Sequence, residues 1–150
     1  MPITSLLAIS PFAGSLLLAA LEMVASLVVD LSQQQLRAYD TAGRLIYRAP
    51  VSTGLPATPT PIGRFQVVGR YAETTLTGAD YRVPGVRDVL CLGGGGLRPD
   101  AICLHPAPWQ EQAKQCFGVR RSHGCVRLSS ATARWLFERT TIGTPVTIQE

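Results

Sequence analysis

Leu27-Val28-Val29-Asp30-Leu31, Gln35-Leu36-Arg37-Ala38-Tyr39 and Arg44-Leu45-Ile46-Tyr47-Arg48 are three short apolar segments set apart by Ser32-Gln33-Gln34 and by Asp40-Thr41-Ala42-Gly43. Each segment is rich in β-branched, aliphatic or aromatic residues, and each break is made of turn formers, with turn signals about every eight to ten residues. The pattern is strand, turn, strand, turn, strand.

Downstream, Pro50 to Pro61 carries too much proline for a central strand. Gly63-Arg64-Phe65-Gln66-Val67-Val68 resumes a strand with Phe65 and Val67 on one face, and Tyr71 to Asp100 is glycine-rich and weakly periodic. That stretch reads as short strands joined by mobile loops. Ala101-Ile102-Cys103-Leu104 is a compact apolar strand that delivers His105 at its end. One clear helix follows Ser129-Ser130, with Ala133, Leu136 and Phe137 at helical spacing and Gly143 as its stop. Thr144 to Gln149 is a closing strand. The fold class is mainly β, a single domain with one or two short helices.

The chain has 150 residues, of which 46% are apolar, 16% charged and 7% aromatic. That composition excludes a disordered chain, and the length suits one domain with a core of its own. The net charge of +4 comes from 14 basic and 10 acidic residues, and Lys114 alone among the cations is not arginine. The basic residues are scattered from Arg37 to Arg139 with no basic run or helix, so no nucleic-acid partner is expected. Pro2 to Leu21 has no charged side chain, and Leu6 to Leu21 is an apolar run followed by the small-residue site Val24-Ala25-Ser26. Residues 1–26 therefore read as a signal peptide or a membrane-anchor-like tether, and 27–150 as the working domain. The expected location is the exported side, in a periplasm or cell envelope.

The scarce reactive groups are two histidines and four cysteines. Cys125 lies in Ser122-His123-Gly124-Cys125-Val126-Arg127-Leu128, between a polar turn and a helix start, with His123 two positions before it. A thiol becomes a nucleophile where its thiolate is favoured, and histidine and backbone dipoles do that. Gly124 permits a tight turn in which backbone N–H groups around Gly124 and Cys125 form an oxyanion hole. Nucleophile, proton acceptor and oxyanion donors together make an acyl-transfer site that requires no metal and no cofactor.

His105, sixteen intervening residues, then Ser122-His123-Gly124-Cys125 resembles the signature of the L,D-transpeptidase catalytic domain family, the YkuD type. Upstream, Val51-Ser52-Thr53-Gly54 followed by Thr58-Pro59-Thr60-Pro61-Ile62-Gly63-Arg64-Phe65 is similar to a second segment of that family, and Val29-Asp30-Leu31-Ser32 with Gln35-Leu36 to its opening hairpin. The likeness runs from about Leu27 to Ile148. It implies a β-sandwich-like L,D-transpeptidase catalytic domain acting on the stem peptides of bacterial peptidoglycan. In such an enzyme a cysteine attacks the carbonyl before the terminal D-alanine of a tetrapeptide stem, holds the acyl group as a thioester and passes it to an amine of another stem. Carried over, Cys125 is the nucleophile and His105 the general base. His123, Gly124 and Cys125 shape the oxyanion site, with His123 ranked below His105 for proton transfer. Ser122 braces the loop, and Arg127 meets a substrate carboxylate, for which its fork is suited. The resemblance also implies acylation of Cys125 by carbapenem-type β-lactams.

One departure is Pro106-Ala107-Pro108 after His105, where many members carry glycine and a small polar residue. Proline keeps its C=O, so a backbone carbonyl can still orient the imidazole. Trp109 and Phe117 either line the cleft or pack. Cys91 and Cys103, twelve positions apart around Gly93 to Gly96, are spaced for a hairpin staple, with buried free thiols as the default. A zinc site from His105, His123, Cys116 and Cys125 lacks a Cys-x-x-Cys pair. The same site used as an L,D-carboxypeptidase or for attaching protein to the wall stays open, as do a non-catalytic peptidoglycan-binding module and a cytosolic cysteine hydrolase.

Overall fold

A computed structural model of the chain describes residues 21–150. The apolar run Leu6 to Leu21 falls almost wholly outside the described residues. Among these, no helix is long and apolar enough to cross a membrane.

The three opening segments form β1 (Ser26–Asp30), β2 (Gln35–Tyr39) and β3 (Leu45–Pro50), an antiparallel meander. Period-two alternation places Leu27, Val29, Leu36 and Ala38 in the core and Val28 and Arg37 towards the other face. Asp40 closes the second turn by accepting the N–H groups of Ala42 and Arg44 at 2.9 Å each. The two residues Val24 and Ala25, just before β1, are tied into the domain as well. Val24 is buried, its N–H bonds the Arg139 carbonyl, and the Ala25 N–H bonds that of Tyr39.

Two longer strands follow, β4 (Gly63–Thr77) and β5 (Arg82–Gly94), then β6 (Leu97–Pro106), helix α1 (Pro108–Gln112), β7 (Val126–Leu128), helix α2 (Ser130–Arg139) and β8 (Pro145–Gln149). The hydrogen-bonded order is β3-β2-β1-β8-β4-β5-β6-β7 in one eight-stranded sheet. The last strand inserts beside the first in parallel and beside β4 antiparallel. The sheet curls until its two edges meet. Ser52, just past β3, exchanges both backbone bonds with Arg127 of β7, at 3.0 and 2.9 Å. The curled sheet and α2 enclose one core, in which Leu90, Leu104, Leu136 and Ile148 are almost fully buried. The inner half of β5, from Val89 to Gly93, is buried on both faces. Leu90 and Leu92 enter that core, while Val89 and Cys91 join Val86 and Cys103 in a smaller cluster on the opposite side.

The fold class is mainly β, as the sequence suggests, but Tyr71 to Asp100 differs from the expectation of short strands and mobile loops. β4 and β5 form one long hairpin, with register shifts at Val67/Gly69 and Thr74/Leu76. Its outer half has few buried positions to impose alternation, and each bulge moves the pattern out of phase. The backbone ladder carries the strands where side-chain periodicity is silent. Helix α2 is capped by Ser129, whose hydroxyl accepts the Thr132 N–H at 3.1 Å. It stops at Arg139, ahead of the expected Gly143, because Thr140 is already extended. Cys91 and Cys103 face each other directly across β5 and β6 and are joined as a disulfide, where the sequence leaves buried free thiols as the default.

Candidate active site

β6 and β7 are parallel neighbours in the register Leu104–Val126 and His105–Arg127. Cys125 directly precedes β7, beside Cys103, whose N–H donates to the Cys125 Sγ at 3.3 Å. Two adjacent strands thus deliver His105, Arg127 and Cys125 to one place. The β4–β5 hairpin adds Leu76, Tyr81 and Val83, and α1 adds Trp109. With Ser122 and His123 these residues line a cleft of about 330 Å³. Cys125 also opens onto a second cleft of about 270 Å³, which shares Leu76 and Tyr81 and continues to Thr74, Thr75 and Asp100.

His105 is buried, and its Nδ1 lies 2.7 Å from the Pro106 carbonyl oxygen. A carbonyl only accepts, so Nδ1 carries the proton and the neutral ring offers Nε2 as a base. Burial holds the His105 pKa down at about 4, assisted by the Arg127 charge and opposed by the Pro106 carbonyl. Burial pushes the Cys125 thiol up, against the Cys103 N–H and the Arg127 charge, which both lower it. The resting pair is therefore a neutral imidazole and a thiol. Arg127 is half-buried, with its guanidinium 5.6 Å from the centre of the Trp109 ring.

The loop before Cys125 is held from two sides. The buried Ser122 hydroxyl donates to the Cys125 carbonyl and accepts the Gly124 N–H at 3.1 Å. That second bond occupies the Gly124 N–H, so the N–H groups left for an oxyanion are those of His123 and Cys125. Gly124 sits at φ +133°, a conformation suited to glycine. His123 is exposed and stacks on Tyr81, with ring centres 5.4 Å apart. From the other side, the Ser122 carbonyl accepts the Thr58 hydroxyl and the Leu55 N–H, both at 3.0 Å. The Gly124 carbonyl accepts the Thr60 hydroxyl at 2.6 Å. Buried Gln34 fixes the preceding turn through the Thr53 N–H and hydroxyl, at 2.9 and 2.6 Å. Buried Gln110 ties α1 to the closing bridge through the Ser52 hydroxyl at 3.1 Å.

The structure therefore brings together Cys125, His105, Arg127, Ser122, Gly124 and His123, with Gly124 acting through its φ and its carbonyl. Sequence reasoning missed Tyr81, Gln110 and the bracing threonines Thr58 and Thr60. The threonines lie in the upstream segment that carries the family resemblance, and that is the signal that could have found them. Cys116 is an exposed free thiol beside Arg121, and no cluster of three or more His, Cys, Asp or Glu side chains able to hold a metal occurs among the described residues.

Fold and cleft define a mainly β domain with a part-buried cysteine and a buried histidine on one cleft. A family model, the L,D-transpeptidase catalytic domain, matches residues 25–148, and the chain belongs to that family. L,D-transpeptidase 1 of Mycobacterium tuberculosis is 28% identical over 110 residues, which are 71% of this chain and 43% of that protein. Probable L,D-transpeptidase 3 of the same organism is 32% identical over 109 residues, 67% of this chain and 38% of that protein. The chain thus spans less than half the length of either relative. The crystal structure of L,D-transpeptidase 3 from M. tuberculosis in complex with a faropenem-derived adduct superposes with a TM-score of 0.69 at 25% identity, covering 83% of this chain and 60% of that one.

Proposed function

We propose that this protein is a cysteine-dependent L,D-transpeptidase of the bacterial cell envelope. The observation that carries the reading is the delivery of Cys125 and a Pro106-oriented His105 by neighbouring parallel strands into one cleft. Membership of the family supports the substrate, a peptidoglycan tetrapeptide stem.

The chemistry follows from the protonation states. On substrate binding the Cys125 proton moves to Nε2 of His105, and the sulfur attacks the carbonyl preceding the terminal D-alanine. The His123 and Cys125 N–H groups receive the negative charge on that oxygen. The C–N bond breaks, His105 returns its proton to the departing D-alanine nitrogen, and a thioester remains on Cys125. An amine of a second stem then attacks the thioester and gives its proton to His105; the C–S bond breaks, the acyl group leaves on the amine, and His105 returns the proton to the Cys125 sulfur. The two clefts flanking Cys125 support separate approaches for donor and acceptor. Arg127 pairs with a donor carboxylate. The faropenem-derived adduct in the transpeptidase 3 crystal structure supports acylation of Cys125 by β-lactams.

The test is mass spectrometry of purified disaccharide-tetrapeptide incubated with the whole chain beside a Cys125→Ala control. Cross-linked dimers with loss of D-alanine, absent in the control, are the expected result. Loss of D-alanine without dimers would make the site a carboxypeptidase. No conversion by folded, reduced protein would overturn the enzymatic reading in favour of a peptidoglycan-binding module.

A further inference from the structure

Thr60 is buried and does not line the cleft, yet its hydroxyl ends on the peptide group that contains the Cys125 N–H. The Gly124 carbonyl can only accept, so Thr60 donates to it, and the same hydroxyl oxygen accepts the Gly54 N–H at 2.9 Å. That leaves the side chain little rotational freedom. The Gly124 C=O and the Cys125 N–H belong to one planar trans peptide, so they point in opposite directions. Holding the carbonyl against Thr60 therefore sets where the N–H points. Thr58 does the same two residues earlier, where its bond to the Ser122 carbonyl sets the direction of the His123 N–H. Neither N–H has an acceptor among the described residues, whereas the intervening Gly124 N–H is held by Ser122. Gly54 makes the close approach possible, since a Cβ there would lie 2.0 Å from the Thr58 carbonyl oxygen.

We propose that Thr60 is a positioning residue for acyl transfer, orienting the Cys125 N–H as an oxyanion donor through the Gly124 carbonyl. The proposal rests on the acyl-transfer reading above. A loop brace with no catalytic part would protect the loop's shape and stability but would not distinguish a reaction that develops an oxyanion from one that does not.

The whole chain, in a Cys116→Ser background, supplies that distinction with two probes of Cys125. Imipenem acylates: a sulfur–carbonyl bond forms, the lactam C–N bond opens, and its nitrogen takes the proton. Iodoacetamide alkylates by displacing iodide from a methylene carbon, with no oxyanion. For Thr60→Val the expected result is acylation slowed by about 10- to 100-fold, somewhat less than the loss from deleting an oxyanion donor outright, with alkylation unchanged. Thr60→Ser restores acylation, and Thr60→Ala, which adds no bulk, repeats the loss if valine does not fit. Equal acylation in wild type and Thr60→Val overturns the proposal, as does a parallel fall in acylation and alkylation. A wild-type protein that alkylates but never acylates overturns the acyl-transfer reading itself and this role with it, and the wild type alone reveals that outcome.

Discussion

The Pro106 carbonyl oxygen lies 2.7 Å from Nδ1 of His105, inside the protein and one residue along the same chain. This contact decides the tautomer. A proline in that position sacrifices nothing the histidine needs, because orientation depends on a C=O and not on the missing N–H.

Replacing His105 with Asn keeps a donor for the Pro106 carbonyl but removes the base. Acylation by imipenem is expected to fall by about 10²- to 10⁴-fold. In the wild type the acid limb of the acylation rate should lie near pH 4, where His105 loses its proton, and not near the ordinary histidine value. A stopped-flow or mass-spectrometric pH profile checks both. An acid limb near 6.5 would contradict the neutral buried ring.

His105 also links stability to pH. Its folded pKa of about 4 lies below the unfolded value of 6.5, so between those pH values the unfolded chain binds a proton that the folded one refuses. Stability is therefore fully present above pH 6.5 and declines as the pH falls to about 4, by about 3 kcal/mol in all. Asp30 and Asp40, both held below the ordinary carboxylate range by backbone N–H groups, withdraw their contributions only at more acid pH. Urea unfolding at pH 7 and pH 4.5, with His105→Asn as the control, should show a smaller loss in the variant.

Removing the Cys91–Cys103 bridge by paired serine substitutions is expected to cost about 3 kcal/mol, the value for a loop of similar size. In a domain of this length that lowers Tm by about 10 °C. Non-reducing peptide mapping should find Cys91 linked to Cys103 and only Cys116 and Cys125 open to alkylation. Alkylation of all four thiols in the unreduced protein would sink the assignment.

Arg127 lowers the Cys125 pKa while offering a fork to a carboxylate. Arg127→Gln should slow iodoacetamide alkylation of Cys125 at pH 8 and raise the stem-peptide concentration for half-maximal turnover by about 10-fold or more, the loss of one charge-assisted pair. Arg127→Lys should recover the alkylation rate but not the half-saturation, because a point charge replaces a bidentate one. Full recovery of both would show that charge alone suffices.

Gly54→Ala tests the brace at its foundation. The added methyl meets the Thr58 carbonyl, so Thr58 and Thr60 must retreat from the Ser122 and Gly124 carbonyls. A stability loss of about 1–3 kcal/mol is expected from the overpacking. Calorimetry that finds an unchanged Tm would show that the turn can open without strain.

The β-type composition of the segments from Leu27 to Arg48 and the turn formers between them were enough to write β1, β2 and β3. His105 and Cys125 were legible for another reason: few side chains can serve as base and nucleophile, and the spacing around them resembles a family. The long β4–β5 hairpin was not legible, since it is held by backbone bonds that any residue can make. Nor was the pairing of Cys91 with Cys103, which depends on the β5–β6 register. The same limit hid the part of Thr60. Its bond to Gly124 spans 64 positions, and only the curling of the sheet, closed by Ser52 against Arg127, brings the two segments together. Residue identity determined the opening strands and the reactive groups of this protein. Which backbone donors face the substrate was decided by long-range hydrogen bonds, which exist only once the sheet has closed.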